Sequence, residues 1–143
     1  MEVVLDASVG AKWFNVKNED NVEIALEVLR QKVLNKLEII VPELFFLEIL
    51  NAFLTKSKFS LEDTLMAEEA LSKMSLRIMS QDHFLLKSAI QIAYACNLTI
   101  YDAIYIAVAQ ICQAILLTED KKILANKNKY SFIKSLDEFK TFL

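Results

Sequence analysis

Apolar residues in this chain fall into two rhythms. Short apolar runs stand at residues 2–5 (EVVL), 38–41 (EIIV), 76–79 (LRIM), 114–117 (AILL) and 132–134 (FIK). Such runs read as buried β-strands. The segments between them carry helical spacing. Over 22–35 the apolar positions are Ile24, Leu26, Val28, Leu29 and Val33, and further helices are expected over 7–14, 84–96 and 99–113, with Thr99 as N-cap. Pro42 suits the first turn of a helix running to about residue 56, because its missing N–H costs nothing there. Ser60 and Asp63 have capping-box spacing and open a helix to about residue 74. Thr118 is the expected cap of a helix reaching residue 126, and 137–142 reads as a terminal helix. Residues 18–21 form a polar break.

Strands alternating with helices, several of the strands apolar throughout, imply an α/β fold: a central parallel sheet of about five strands with helices on both faces. The 143 residues fit one domain, and a single Gly and a single Pro leave no room for flexible linkers. Hydrophobic content of 55% and mean hydropathy of +0.32 are high for a chain without a membrane role. From Ser88 to Thr118, however, the only charge is Asp102, placed mid-run. Two buried helices and a strand explain that segment better than a bilayer span. The first residues carry Glu2 and Asp6 where a signal peptide would be basic. Cys96 and Cys112 lack metal-type spacing and read as small hydrophobes in a reducing, cytoplasmic setting. The net charge of −3 means that any nucleic acid must be met by a local basic patch.

Four carboxylates stand beside or inside apolar runs: Asp6, Glu48, Asp102 and Asp120. Asp6 and Asp120 follow strand ends, where open α/β sheets bind ligands. Each has a structural alternative. Asp6 and Asp120 suit helix starts, and Asp102 sits three residues after Thr99, as in a capping box. Glu119 competes with Asp120 for any functional role. Glu48 has the weakest structural explanation, for it interrupts LFFLEILNAFL with only Asn51 as a polar neighbour on its helix face. Acids gathered in one cleft repel one another unless a cation neutralises them, and an all-oxygen set suits Mg²⁺ or Mn²⁺. The lone histidine, His83, reads as a solvated loop residue. Lys121, Lys122, Lys127 and Lys129 are either a solvated helix face or a phosphate-contacting rim. Lys12 is a candidate nucleic-acid contact beside Trp13, itself assigned to the core. Excess apolar surface for a chain of this size points to a homodimer.

VVLDASVGAKWF, VPELFFLEILNAF, LTIYDAIYIAVA and AILLTEDKKIL, in this order and spacing, resemble the PIN domain, and within it the VapC-type toxins of prokaryotic toxin–antitoxin pairs. The resemblance spans residues 1–143 as one domain. It implies a metal-dependent endoribonuclease in which Asp6, Glu48, Asp102 and Asp120 are catalytic and hold Mg²⁺ or Mn²⁺. Ser8, Lys12, Asn51, Thr118 and Lys121 are the candidate substrate contacts around them, Thr118 falling on the family's hydroxyl position. One cation would acidify a water that attacks the scissile phosphate; in a two-metal site, the second, about 3.5–4 Å away, would stabilise the leaving oxygen, and the sequence leaves one or two open. The implied partners are RNA and a small VapB-like antitoxin. Glu119 departs from the small residue common at its position. A PIN nuclease of RNA maturation and a catalytically silent RNA- or protein-binding module remain as alternatives. An aspartyl-phosphate enzyme is disfavoured, since Asp6-Ala7-Ser8 lacks the second aspartate of Asp-x-Asp.

Overall fold

The computed structural model describes residues 1–14 and 20–143, so residues 18 and 19 of the expected break at 18–21 lie outside the described residues. All the expected strands form: β1 (Glu2–Leu5), β2 (Glu38–Pro42), β3 (Arg77–Met79), β4 (Ile115–Leu117) and β5 (Ile133–Lys134). They make one sheet of order β3-β2-β1-β4-β5 with every pair parallel. Val3 stands opposite Ile39 on one side and Ile115 on the other. Val3, Val4, Leu5, Ile39, Ile40 and Val41 are wholly buried. Successive strand residues point to opposite faces, so the burial of consecutive positions means that both faces are covered.

The covering helices follow from the apolar spacing. Helix α6 (Ile100–Cys112) packs on β1, β2 and β4 and buries every residue from Ala103 to Ala109. Helix α5 (His83–Cys96) lies along α6. Helix α3 (Leu44–Thr55) packs against β2, α1 (Ala7–Gly10) and α4 (Leu61–Lys73). Helix α2 (Val22–Val33) meets α8 (Leu136–Phe139) and the 3₁₀ turn Ala11–Trp13, where the Trp13 indole donates to the Ala25 carbonyl at 2.9 Å. Trp13 is core, as expected. No single helix among the described residues is long and apolar enough to cross a membrane. Helices α5 and α6 have that length and apolarity only as a pair, and the pair is bent by 116° at the break between them.

Three departures from the expected boundaries concern residues singled out above. Pro42 is the last residue of β2, paired with Met79, and α3 begins two residues later. At a strand end the absent N–H breaks no ladder bond that continues beyond it. Thr118 is not a helix cap. It is buried at the end of β4, its N–H bonds to the Lys134 carbonyl, and Asp120 caps a shorter α7 (Lys121–Leu124). His83 is the first residue of α5, after the cap Asp82, and is exposed as anticipated. The expected caps Ser60 and Thr99 are both in place, each accepting the backbone N–H three residues on.

Gly10 determines how closely α1 can approach α3. A β-carbon at residue 10 would lie 2.5 Å from Phe45 Cζ and 2.8 Å from Ile49 Cδ1, both of them wholly buried side chains. The Phe45 ring is itself wedged edge-on against Trp13 and Phe46 and has no room to retreat. Gly10→Ala should therefore destabilise the fold by about 1–3 kcal/mol through overpacking. Urea unfolding monitored by circular dichroism measures this; an unchanged midpoint would mean that the helices part without cost.

Candidate active site

The strand order reverses between β1 and β4. The chain steps from β1 to β2 to β3 in one direction, then returns to place β4 and β5 on the other side of β1. Such a switch point leaves a crevice beyond the carboxyl ends of the two strands. Asp6 directly follows β1, and Thr118, Glu119 and Asp120 directly follow β4. A cleft of about 790 Å³ opens there, lined by Asp6, Glu48, Asp102 and Asp120 together with Ser8, Lys12, Glu119 and Lys121.

Asp6 is the deepest of the acids, 5% exposed. Its Oδ2 accepts hydrogen bonds from the Ser8 hydroxyl and from the Thr118 hydroxyl, the latter at 2.9 Å. Both hydroxyl oxygens in turn accept backbone N–H groups from the β4 turn. Glu119 donates to Ser8 Oγ at 3.0 Å, and Asp120 donates to Thr118 Oγ1 at 3.0 Å. The Asp6 N–H bonds to the Leu117 carbonyl at 3.0 Å. Ser8 and Thr118 thus orient Asp6, with their protons directed at its carboxylate.

Asp120 uses Oδ1 to cap α7, accepting from Lys122 N at 2.8 Å and Ile123 N at 3.2 Å. The helix-cap reading and the cleft position both hold for this residue. Glu119 also borders the cleft, but its Oε1 accepts the Leu136 N–H at 3.1 Å and anchors the start of α8. Asp102 is half-buried on the first turn of α6. Glu48 reaches the cleft from α3, and its Oε1 accepts the Tyr105 hydroxyl at 2.7 Å.

These carboxyl groups sense one another. Burial pushes Asp6 up to about 6 against the opposing bonds from Ser8 and Thr118, and nearby Asp120 raises it further. Burial likewise pushes Glu48 up to about 7, opposed by Tyr105 and reinforced by Asp6, Asp102 and Asp120. Asp102 is raised by burial and by Asp120, while Thr99 and Lys122 hold it down. No ion pair between described residues involves any of the four.

Other residues singled out from the sequence stand in different places. Lys121 is exposed on the cleft rim. Lys12 is buried, with its ammonium on the Asp20 carbonyl at 2.8 Å. Lys127 is paired with Glu138. Asn51 is exposed on α3 and does not border the cleft; Ala52 and Ile49 accompany Glu48 there instead. Two residues that bear on the site escaped the sequence reading. Lys56 lies on the rim at the end of α3. Tyr105 is wholly buried, and the clue to it was a phenol among the Ile and Ala of α6, since a buried hydroxyl needs an acceptor.

Among the described residues no three metal-ligating side chains stand close enough to enclose an ion as they are. The donor chemistry nevertheless fits a hard divalent cation. Every donor is a carboxylate oxygen, and three of the four groups have their protonated forms favoured by burial and mutual repulsion.

Comparison with known proteins agrees with this geometry. No curated protein matches the chain in sequence. Among solved structures, PAE2754 from Pyrobaculum aerophilum superposes with a TM-score of 0.67 at 24% identity, covering 96% of this chain and 90% of that one. VapC20 from Mycobacterium tuberculosis, a sarcin–ricin loop cleaving toxin, gives 0.67 at 13% identity, covering 86% and 93%. The structure of VapBC-1 from nontypeable Haemophilus influenzae gives 0.66 at 12% identity, covering 96% and 99%. At these identities the likeness is one of fold. The PIN domain family model matches residues 3–129, and with this sheet order the chain belongs to the PIN domain family.

Proposed function

We propose that this chain is a Mg²⁺- or Mn²⁺-dependent endoribonuclease and the toxin of a VapBC-type pair, with residues 1–143 forming one PIN unit. The observation that carries the reading is the meeting of Asp6, Glu48, Asp102 and Asp120 on one cleft at the sheet's switch point, without a paired Lys or Arg among the described residues. Asp6, Glu48, Asp102 and Asp120 would hold the cation. When bound, it would supply Lewis acidity for water activation and offset charge on the phosphate. The chain's own groups do the positioning. Ser8 and Thr118 fix Asp6, the α7 amides fix Asp120, and Lys121 and Lys56 on the rim would meet backbone phosphates. Solved neighbours that are toxin–antitoxin complexes, among them one from Klebsiella pneumoniae, support an antitoxin partner.

A cation-dependent site has a stability signature. Asp6 and Glu48 titrate above the ordinary carboxylate range in the folded chain. Their favourable contribution is therefore complete below the unfolded-state pKa near 4 and is lost as pH rises through about 6 and 7. In EDTA, the melting temperature should fall between pH 5 and pH 8. Mg²⁺ or Mn²⁺ should restore more of it at pH 8 than at pH 5, and Glu48→Gln should flatten the fall. A melting temperature independent of both pH and cation would remove the support for a shared carboxylate site.

Purified protein should cleave structured RNA with Mg²⁺ or Mn²⁺ and stop in EDTA. Asp6→Asn and Glu48→Gln should each lose at least about 10²-fold in rate, the scale of losing a positioned acid or base, while keeping a native circular dichroism spectrum. Full cleavage in EDTA, or an active Asp6→Asn, would sink the nuclease reading.

The outward apolar residues Leu47 and Leu54 on α3, with Leu61, Leu65 and Met66 on α4, support a homodimer, and an antitoxin tail bearing Arg or Lys suits the acidic cleft. Sedimentation at micromolar concentration should show a dimer. Co-expression with the product of the neighbouring open frame should yield an inhibited complex. A monomer would count against the first point, and an unbound neighbour against the second.

A further inference from the structure

We infer that the Tyr105 hydroxyl is the positioning group for Glu48: it holds Oε1 and so presents the second carboxylate oxygen to the cation that the cleft would bind. This rests on the metal-dependent reading above. Tyr105 is wholly buried on α6, one turn beyond Asp102, and its hydroxyl donates to Glu48 Oε1 at 2.7 Å across the α3–α6 gap. That hydroxyl links α6, which carries Asp102, to α3, which carries Glu48.

Two of the other acids have their own orienting groups: Asp6 has two hydroxyls, and Asp120 has the α7 amides. Glu48 has no N-cap or turn position to orient it, for it stands in the middle of α3, and Tyr105 gives its only hydrogen bond from the described residues. The contacts that set the depth of α3, Phe45 and Ile49 against Gly10, are apolar and fix no carboxylate direction. A purely structural tyrosine would accept any hydrogen-bond partner and would leave cation affinity alone. A group that aims a ligand does not, since losing such a partner typically weakens metal binding 10–100-fold.

Mn²⁺ binding by titration calorimetry, at fixed pH and without RNA, tests this on wild type, Tyr105→Phe, Glu48→Gln and the double variant. Tyr105→Phe removes one oxygen, whose partner Glu48 is accessible to water. Tyr105→Phe should bind Mn²⁺ about 10–100-fold more weakly, and the double variant should bind no more weakly than Glu48→Gln alone. Tyr105→4-aminophenylalanine keeps the ring and restores a donor, so it should recover most of the affinity; it also serves if the Phe variant fails to fold. Wild-type affinity in Tyr105→Phe, additive losses in the double variant, or no recovery with the amino analogue would each overturn the inference while leaving the nuclease reading intact. A wild-type chain that binds no Mn²⁺ would overturn both.

Discussion

One carboxylate oxygen ties together the two strands that make the cleft. Asp6 Oδ2 accepts from Ser8 on its own side and from Thr118 at the end of β4, and those two hydroxyls accept the next two amides of the β4 turn. Parallel strands are held by their ladder only as far as the ladder runs. Beyond Leu5 and Leu117 the chain would be free to splay, and this closed set of bonds carries the pairing past the last rung. The directions taken by α1 and α7, and so the position of Asp120 relative to Asp6, depend on it. The same oxygen is committed to structure, which leaves Oδ1 as the atom that faces the cleft.

That division of labour recurs around the site. A carboxylate offers two oxygens, and here one serves the fold while the other stays available. Asp120 gives Oδ1 to the N-terminus of α7, and Glu48 gives Oε1 to Tyr105. A helix cap and a ligand position are often treated as rival explanations for an acid after a strand. For Asp120 the two readings are compatible, because the residue that caps α7 also borders the cleft. Local stabilisation of each group offsets part of the burial and repulsion that raise Asp6 and Glu48.

Much of this was legible in the sequence because it is local. Runs such as VVL and IIV mark strands covered on both faces, and Thr99 with Asp102 marks a helix start. What was illegible depends on tertiary contact. Pro42 is compatible with a first helical turn and with a strand end, and only pairing with Met79 decides. Thr118 has the composition of a cap but spends its hydroxyl on Asp6, a partner 112 residues away. Helical spacing links Glu48 with Asn51, yet α3 turns Ala52 toward the cleft and Asn51 toward solvent. Neighbouring acids 119 and 120 are separated in role only by α8, whose first amide claims Glu119. Tyr105 could be read as core, and it is core; its hydroxyl acquires meaning only when α3 is placed beside it.

The chain's one glycine lies in none of these hydrogen bonds, yet it governs them at a distance. Gly10 sets the spacing between α1, which begins directly after Asp6, and α3, which carries Glu48. A methyl group there would widen an interhelical gap and, with it, the separation of two acids. In a mutational scan scored by activity, position 10 would therefore register among the site residues although it offers no atom to any ligand. Ranked by effect alone, such a scan would confuse the spacer with the chemistry; a parallel scan for folded abundance would tell them apart.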